Sequence, residues 1–250
     1  MPLPSVSVQL YSVRDVLEAD PAGTIERLAG LGYRQVEAGF KYLTRLPELA
    51  PAIRAHGLVT PVMTGSLFEA DRGPVFDLAR SLGAGTVVDT FIPAPRWQTQ
   101  ADVDHIAAEL NAAAAEAAAL GLRVGYHNHW WELEQRFGGG PALDALIVRL
   151  DPAVVLEVDA YWVAVGGEEP VAFVRRHAGR VRFLHLKDGP VSRDNHAQLP
   201  AGQGALPIPA VLAAATGLEA GVVEFDDYAG DVFDAVAQSL RYLDGLAARA

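Results

Sequence analysis

One recurrence constrains this chain more than any other feature. A short, apolar, strand-like run appears eight times, and a longer helix-like stretch follows each. The runs are VSVQLY (6–11), RQVEAG (34–39), GLVTPVM (57–63), GTVVDTF (85–91), LRVGYHN (122–128), AVVLEVD (153–159), RVRFLHL (180–186) and AGVVEFD (220–226). Their spacing is about that of one strand, one helix and the loops between them. Several helical stretches stop on glycine just before the next run, as in LAGLGYRQV, AIRAHGLVT, ARSLGAGTV and AALGLRVGY. Glycine takes up the left-handed conformation that closes a helix and that a Cβ disfavours. Eight such units predict an α/β chain folded as one closed (β/α)8 TIM barrel over residues 1–250. The competing arrangement, a doubly wound open sheet, carries a glycine-rich phosphate turn after its first strand. Here that turn reads YSVRD.

Composition narrows the partners. The chain has 20 Lys and Arg against 31 Asp and Glu, a net charge of −11. That balance argues against a nucleic-acid backbone or an anionic membrane as the main partner. There is no cysteine, hence no disulfide framework and no thiolate chemistry. The opening MPLPSVSVQLYSVRD lacks the basic start and apolar core of a secretion signal, so a cytoplasmic location is expected. No uninterrupted apolar run approaches the ~20 residues of a membrane helix. The alanine-rich stretch 111–120, interrupted by Glu116, reads as a surface helix. The least regular segment, DGPVSRDNHAQLPAGQGALPIP (188–209), reads as a long functional loop.

A barrel builds its site from the loops after its strands, so the strand ends carry the prediction. Strand five ends YHNHW, with His127 and His129 on one face; strand six ends LEVDAYW, with Glu157 and Asp159 on one face and Trp162 beyond. Strand seven ends FLHLKD, with His185 and Lys187; strand eight carries Glu224 in VVEFDD; strand two carries Glu37 in VEAGF. Such charges are costly in a barrel unless they are paired or hold a metal. Asp159, His185 and Glu224 form the best trio for one divalent ion, with His127 as a fourth ligand or a hydrogen-bond donor to substrate. Histidine and carboxylate suit Mn, Zn, Co, Fe or Mg. The competing reading is a buried ion-pair network.

The remaining groups fall into place around that trio. Lys187 would neutralise an oxyanion or carry a proton, unless a salt bridge to Asp188 or Glu224 occupies it. Glu157, one pleat deeper than Asp159, reads as an orienting group. His129 reads as a substrate contact or, more simply, as a core histidine with its hydrogen bonds satisfied. Trp130, Trp131 and Trp162 would form an apolar wall under a sugar face. Glu37 and Arg193 are further substrate contacts, Arg193 toward an anion. AGQGAL reads as a plain loop in preference to a phosphate site. His56, His105 and His177 read as surface residues, and Asp226–Asp227 as a solvated loop edge.

Taken in order, VSVQLYSVRD, GYRQVEAGF, YHNHWWELE, LEVDAYWVAVGG, FLHLKDG, AGQGALPIPAVL and VVEFDD resemble the sugar phosphate isomerase/epimerase family of xylose isomerase-like TIM barrels. The resemblance implies one divalent ion held by Glu, Asp, His and Glu from strands five to eight, with two glutamates exchanging a proton beside a carbonyl. Asp159, His185 and Glu224 match the last three positions. The first departs: His127 stands where the family has Glu, and Glu132 is the nearest carboxylate, placed to approach from the loop. The resemblance thus implies a metal-dependent sugar isomerase or epimerase acting on a ketose or keto-sugar, with Glu224, Glu132 and Lys187 as its catalytic groups. Dehydration of an inosose or keto-sugar on the same barrel is the alternative. An endonuclease IV-like nuclease fits the acidic charge poorly, and a non-catalytic sugar-binding barrel is the third reading. The expected partner is a small-molecule sugar, with no nucleic acid and no membrane, and with room for a homo-oligomer.

Overall fold

The computed structural model describes residues 5–248. Residues 1–4 and 249–250, part of the expected 1–250 span and of the N-terminal segment read for a leader, lie outside the described residues. Eight strands form the barrel: β1 (Val6–Gln9), β2 (Gln35–Gly39), β3 (Val62–Thr64), β4 (Thr86–Asp89), β5 (Arg123–His127), β6 (Val155–Asp159), β7 (Val181–His185) and β8 (Ala220–Val223). They close in the order β1-β8-β7-β6-β5-β4-β3-β2, each parallel to both neighbours. All eight expected strands are present, and helices cover the outside. Two helices between strands end on Gly32 and Gly83, at φ 113° and 83°, where a side chain would be strained.

β3 differs from its expected span of 57–63. Pro61 has no N–H to give the ladder, so residues before it make only a single bridge, Val59 to Gln35, and pairing starts at Val62. The alanine-rich stretch is the second half of a longer helix, Gln100–Ala119, opened by a Thr99–Asp102 capping box. Its Val103, Ile106 and Leu110 face the core while the opposite side meets solvent. Among the described residues no helix is long and apolar enough to cross a membrane.

The barrel interior is layered. Val62, Val88, Val155, Phe183 and Ala220 form an apolar cluster separate from the sheet–helix core. Gly125 belongs to this layer, since a Cβ there would lie 2.9 Å from Val88 Cγ2. Strand side chains alternate with period two. The same faces therefore present His127, Glu157 and His185 one step higher, then Asp159, Lys187 and Glu224 above those. This alternation carries four charged strands from a dry floor to a polar mouth.

The long segment 188–209 is folded around Asp188. Its carboxylate accepts the backbone N–H groups of Gly189 at 2.8 Å, Gly202 at 2.9 Å and Leu206 at 3.0 Å. The glycine-rich AGQGAL turn thus spends N–H groups inside the loop, consistent with its reading as a plain loop.

Candidate active site

A cavity of about 550 Å³ opens at the C-terminal ends of the strands, and His127, His185 and Glu224 lie on its wall. His127, Asp159, His185 and Glu224, all buried, each offer one nitrogen or oxygen, and these four atoms lie within 4.8 Å of one another. Each comes from, or just past, the end of a different strand from β5 to β8. Asp159 is locked in place: its carboxylate accepts the Trp162 backbone N–H at 2.9 Å, and its own backbone N–H donates to the Asn128 side-chain oxygen at 3.0 Å.

Glu157 sits beneath and orients both rings. Its Oε1 lies 3.2 Å from His127 Nδ1 and 3.1 Å from His185 Nε2. With Nδ1–H given to Glu157, His127 turns its Nε2 toward Asp159, 3.9 Å from Oδ2. His185 turns Nδ1 toward Glu224, at 2.5 Å. Imidazoles whose outer N–H is held by a carboxylate are oriented as metal ligands are. Burial pushes Glu157 up, but His185 and His127 outweigh it and hold its carboxyl well below the usual range. Burial likewise opposes a charge on His185, yet Glu157, Glu224 and Glu37 hold its pKa well above that of a free imidazole.

Two nitrogens and two oxygens, without sulfur, fit a divalent cation of borderline or hard character. Charge points the same way: the carboxyls of Glu37, Glu157, Asp159, Glu224 and Asp226 converge on one lysine and two histidines. Glu37, Glu157 and His185 are also close enough to hold an ion. Neither of those glutamates lines the cavity, whereas His127, His185 and Glu224 of the first set do.

Lys187 is buried with its Nζ 2.5 Å from both Asp159 and Glu224 and 3.2 Å from Asp226. Burial works against its charge, but Asp159, Asp226 and Glu224 hold its pKa well above the ordinary lysine value. It pairs with Glu224 as one reading allowed, and not with Asp188, which is committed to the loop. Ion pairs and candidate metal ligands therefore share the same carboxylates. Glu224 is held well below the usual carboxylate range, with Lys187 and His185 overcoming its burial.

Several residues sit elsewhere than expected. Glu132 is fully buried, accepting the Tyr126 hydroxyl at 2.7 Å and the His129 N–H at 3.0 Å. It lies outside both the cavity wall and the four-donor cluster. Burial pushes its pKa up to about 8. Glu37 lies below the cavity, bonded by Gln9 and 3.3 Å from His185, and burial with the Glu157 charge pushes its pKa well up. His129 is not a satisfied core histidine. It lines the cavity, stacks on Trp131 at 4.3 Å, and leaves its Nδ1 buried without a hydrogen-bond partner among the described residues. Trp130, Trp131 and Trp162 all line the cavity, as an apolar wall requires. Arg193 reaches the wall too, but it is paired with Glu134 and lies 3.7 Å over the Trp130 ring.

His56 and His105 are exposed, whereas His177 is half-buried against Phe173 and 2.7 Å from Asp144. Asp226 is no solvated edge: it lines the cavity, faces Lys187, and accepts Gln198 Nε2 at 2.8 Å. A signal was there, since Asp226 lies two residues past Glu224 and shares its face. Asn128, which ties β5 to β6, had no such signal.

A closed parallel barrel whose last four strands deliver imidazole and carboxylate donors to one cavity defines a class of barrel with a candidate metal centre. The xylose isomerase-like TIM barrel family matches residues 25–246, and the chain belongs to that family. No curated protein matches the chain. Among solved structures, a sugar phosphate isomerase/epimerase from Parabacteroides distasonis superposes with TM-score 0.79 at 21% identity, covering 96% of this chain and 93% of its own. The IOLI protein with a bound zinc atom gives 0.75 at 14% identity, covering 98% of each chain. The probable 3-DHS dehydratase AsbF of Bacillus anthracis gives 0.73 at 11% identity, covering 96% and 98%. At these identities the likeness carries the fold.

Proposed function

We propose that this chain is a divalent-metal-dependent enzyme that moves a proton on the carbon beside the carbonyl of a ketose or keto-sugar, as an isomerase or epimerase. The observation that carries this reading is the convergence of His127, Asp159, His185 and Glu224 within 4.8 Å at a cavity. Those four side chains would hold the ion. Bound there, it would act as a Lewis acid toward the substrate carbonyl. The zinc in the IOLI structure supports the choice of cofactor class.

The chain's own groups supply the rest. Glu224, on the cavity wall and kept ionised by Lys187 and His185, takes the proton from carbon at its carboxylate. Lys187 remains an ammonium; it lies behind the cavity wall, and its positive charge acts there through Glu224 and Asp226. The proton held by Glu224 is the one returned, to the adjacent carbon, while Asp226 faces the same cavity 3.2 Å from Lys187. Glu132, the expected second base, acts in this reading by fixing the His129 backbone.

Loss of a β-hydroxyl after the same first step would give dehydration. Two observations favour that second reading: His127 replaces the family's first glutamate, and one structural relative is a probable dehydratase. The proposed partner is a small-molecule sugar, in a cytoplasmic setting and on a single-domain barrel. The net charge of −11 argues against nucleic acid.

Incubation with ketoses, keto-sugars and inososes in deuterated water, with and without Mn(II), tests the reading. The expected result is Mn-dependent deuterium uptake beside the carbonyl of at least one substrate. Saturable binding of these sugars with no exchange under any metal would leave a non-catalytic barrel.

A further inference from the structure

One wall of the cavity is a run of rings leading from the donor cluster to the mouth. The centroids of His185 and His127 lie 4.4 Å apart, and those of His127 and His129 5.2 Å apart. His129 then stacks on Trp131 with planes 9° apart. Phe91 stands edge-on to His129 and Trp131, at 5.7 and 5.8 Å. Phe91 is 62% exposed, yet it is not loose: its backbone N–H is held by the buried carboxylate of Asp89 at 3.1 Å. Tyr11, also on the cavity wall, is 40% exposed. Large aromatic side chains anchored and left open at a cavity mouth mark a surface that a ligand covers.

The cations around the same cavity are already matched. Lys187 faces three carboxylates, Arg193 is paired with Glu134 and stacked on Trp130, and Gly202 and Leu206 of the glycine-rich turn give their N–H groups to Asp188. A phosphate dianion would have to displace one of these partners and would meet Glu224 and Asp226. The Trp162 ring also lines the cavity. The cavity, about 550 Å³, falls in the range that encloses a drug-sized molecule.

We propose that the substrate is a keto-sugar carrying an aromatic substituent, an aryl glycoside, in preference to a sugar phosphate; this rests on the reading of the site as one for keto-sugars. The sugar ring lies at the donor cluster. The aglycone ring packs against Phe91 and Trp131.

Calorimetric titration of the whole chain with 3-ketoglucose, its 6-phosphate and its phenyl β-glycoside tests this, both in Mn(II) and in chelator. The phenyl glycoside is expected to bind about tenfold tighter than 3-ketoglucose, the yield of one buried aromatic contact. The 6-phosphate is expected to bind no tighter than 3-ketoglucose. Phe91→Ala should close the gap between phenyl glycoside and free sugar, and its high exposure makes misfolding a poor explanation for that change. Tightest binding by the 6-phosphate, equal binding of glycoside and free sugar, or a gap that survives Phe91→Ala would overturn the proposal. If none of the three binds, the keto-sugar reading falls with it. If the pattern holds but no proton exchange occurs, only the proposed reaction falls.

Discussion

The floor and the mouth of this barrel are made by the same strands and obey opposite rules. At the floor, Val62, Val88, Val155, Phe183 and Ala220 fill the interior with close-packed apolar groups. Two steps higher along β6 and β7, Asp159 and Lys187 are buried as deeply, but in contact with other charges. Burial at the floor is favourable in itself, through area removed from water. Burial at the mouth is unfavourable unless every charge finds an opposite, and there carboxyls outnumber the cations. A chain selected for stability alone would continue the floor upward. Charges where packing would serve better are expected at sites that do chemistry.

Mutations that move one region toward the other test the contrast. Phe183→Ala opens a void in the floor and should cost about 3–5 kcal/mol of stability. Denaturant unfolding reads that loss, while Mn(II) affinity of the folded fraction should hold. Lys187→Met does the reverse. It strands Asp159 and Glu224 without their ammonium and should cost ~3 kcal/mol in chelator, by the general penalty for breaking a buried pair. Because Lys187 occupies the same carboxylates that would hold the ion, saturating Mn(II) should restore most of that loss; a deficit unaffected by metal would break the link between the ion-pair network and the proposed metal site.

Glu132 sharpens the comparison in a place where the two rules meet, since it is a carboxyl buried like a floor residue. Its pKa rises from the ordinary 4.5 to about 8 in the folded state. The folded protein therefore keeps this proton after the unfolded chain has lost it. Stability should fall as pH rises from about 4.5 to 8 and level off above that, by up to a few kcal/mol in total. Glu132→Gln cannot ionise, so its unfolding free energy between pH 5 and pH 8.5 should lack that part of the decline. The smallest effect is expected from Glu157→Gln. It keeps the volume but weakens the orientation of both imidazoles, and should lower Mn(II) affinity by roughly 10–100-fold, measured by titration.

Much of this was legible in the sequence because period-two alternation is local. Reading every second residue of LEVD or FLHLK places Asp159 and His185 on the inner face without knowledge of the fold. Glycine stops such as Gly32 and Gly83 mark where several of the strands begin. What escaped depends on how the chain turns after it leaves the sheet. Glu132 lies in the single turn Trp131–Glu134, whose direction sends its carboxyl beneath His129 and away from the cavity. Asp226 lies past the last paired residue of β8; the alternation puts it on the face of Glu224, but that Gln198 closes around it depends on the path of the loop 188–209. Phe91 is an apolar residue on a loop, and its role at the mouth comes only from the rings it meets.

The central claim is that the last four strands deliver four donors to one cation. Mn(II) binding followed by electron paramagnetic resonance, on the native chain and on folded Asp159→Ala and His185→Ala variants, tests it most directly. One tightly bound ion per chain, lost or much weakened in both variants, is the predicted outcome. Equal stoichiometry and affinity in all three proteins would contradict it.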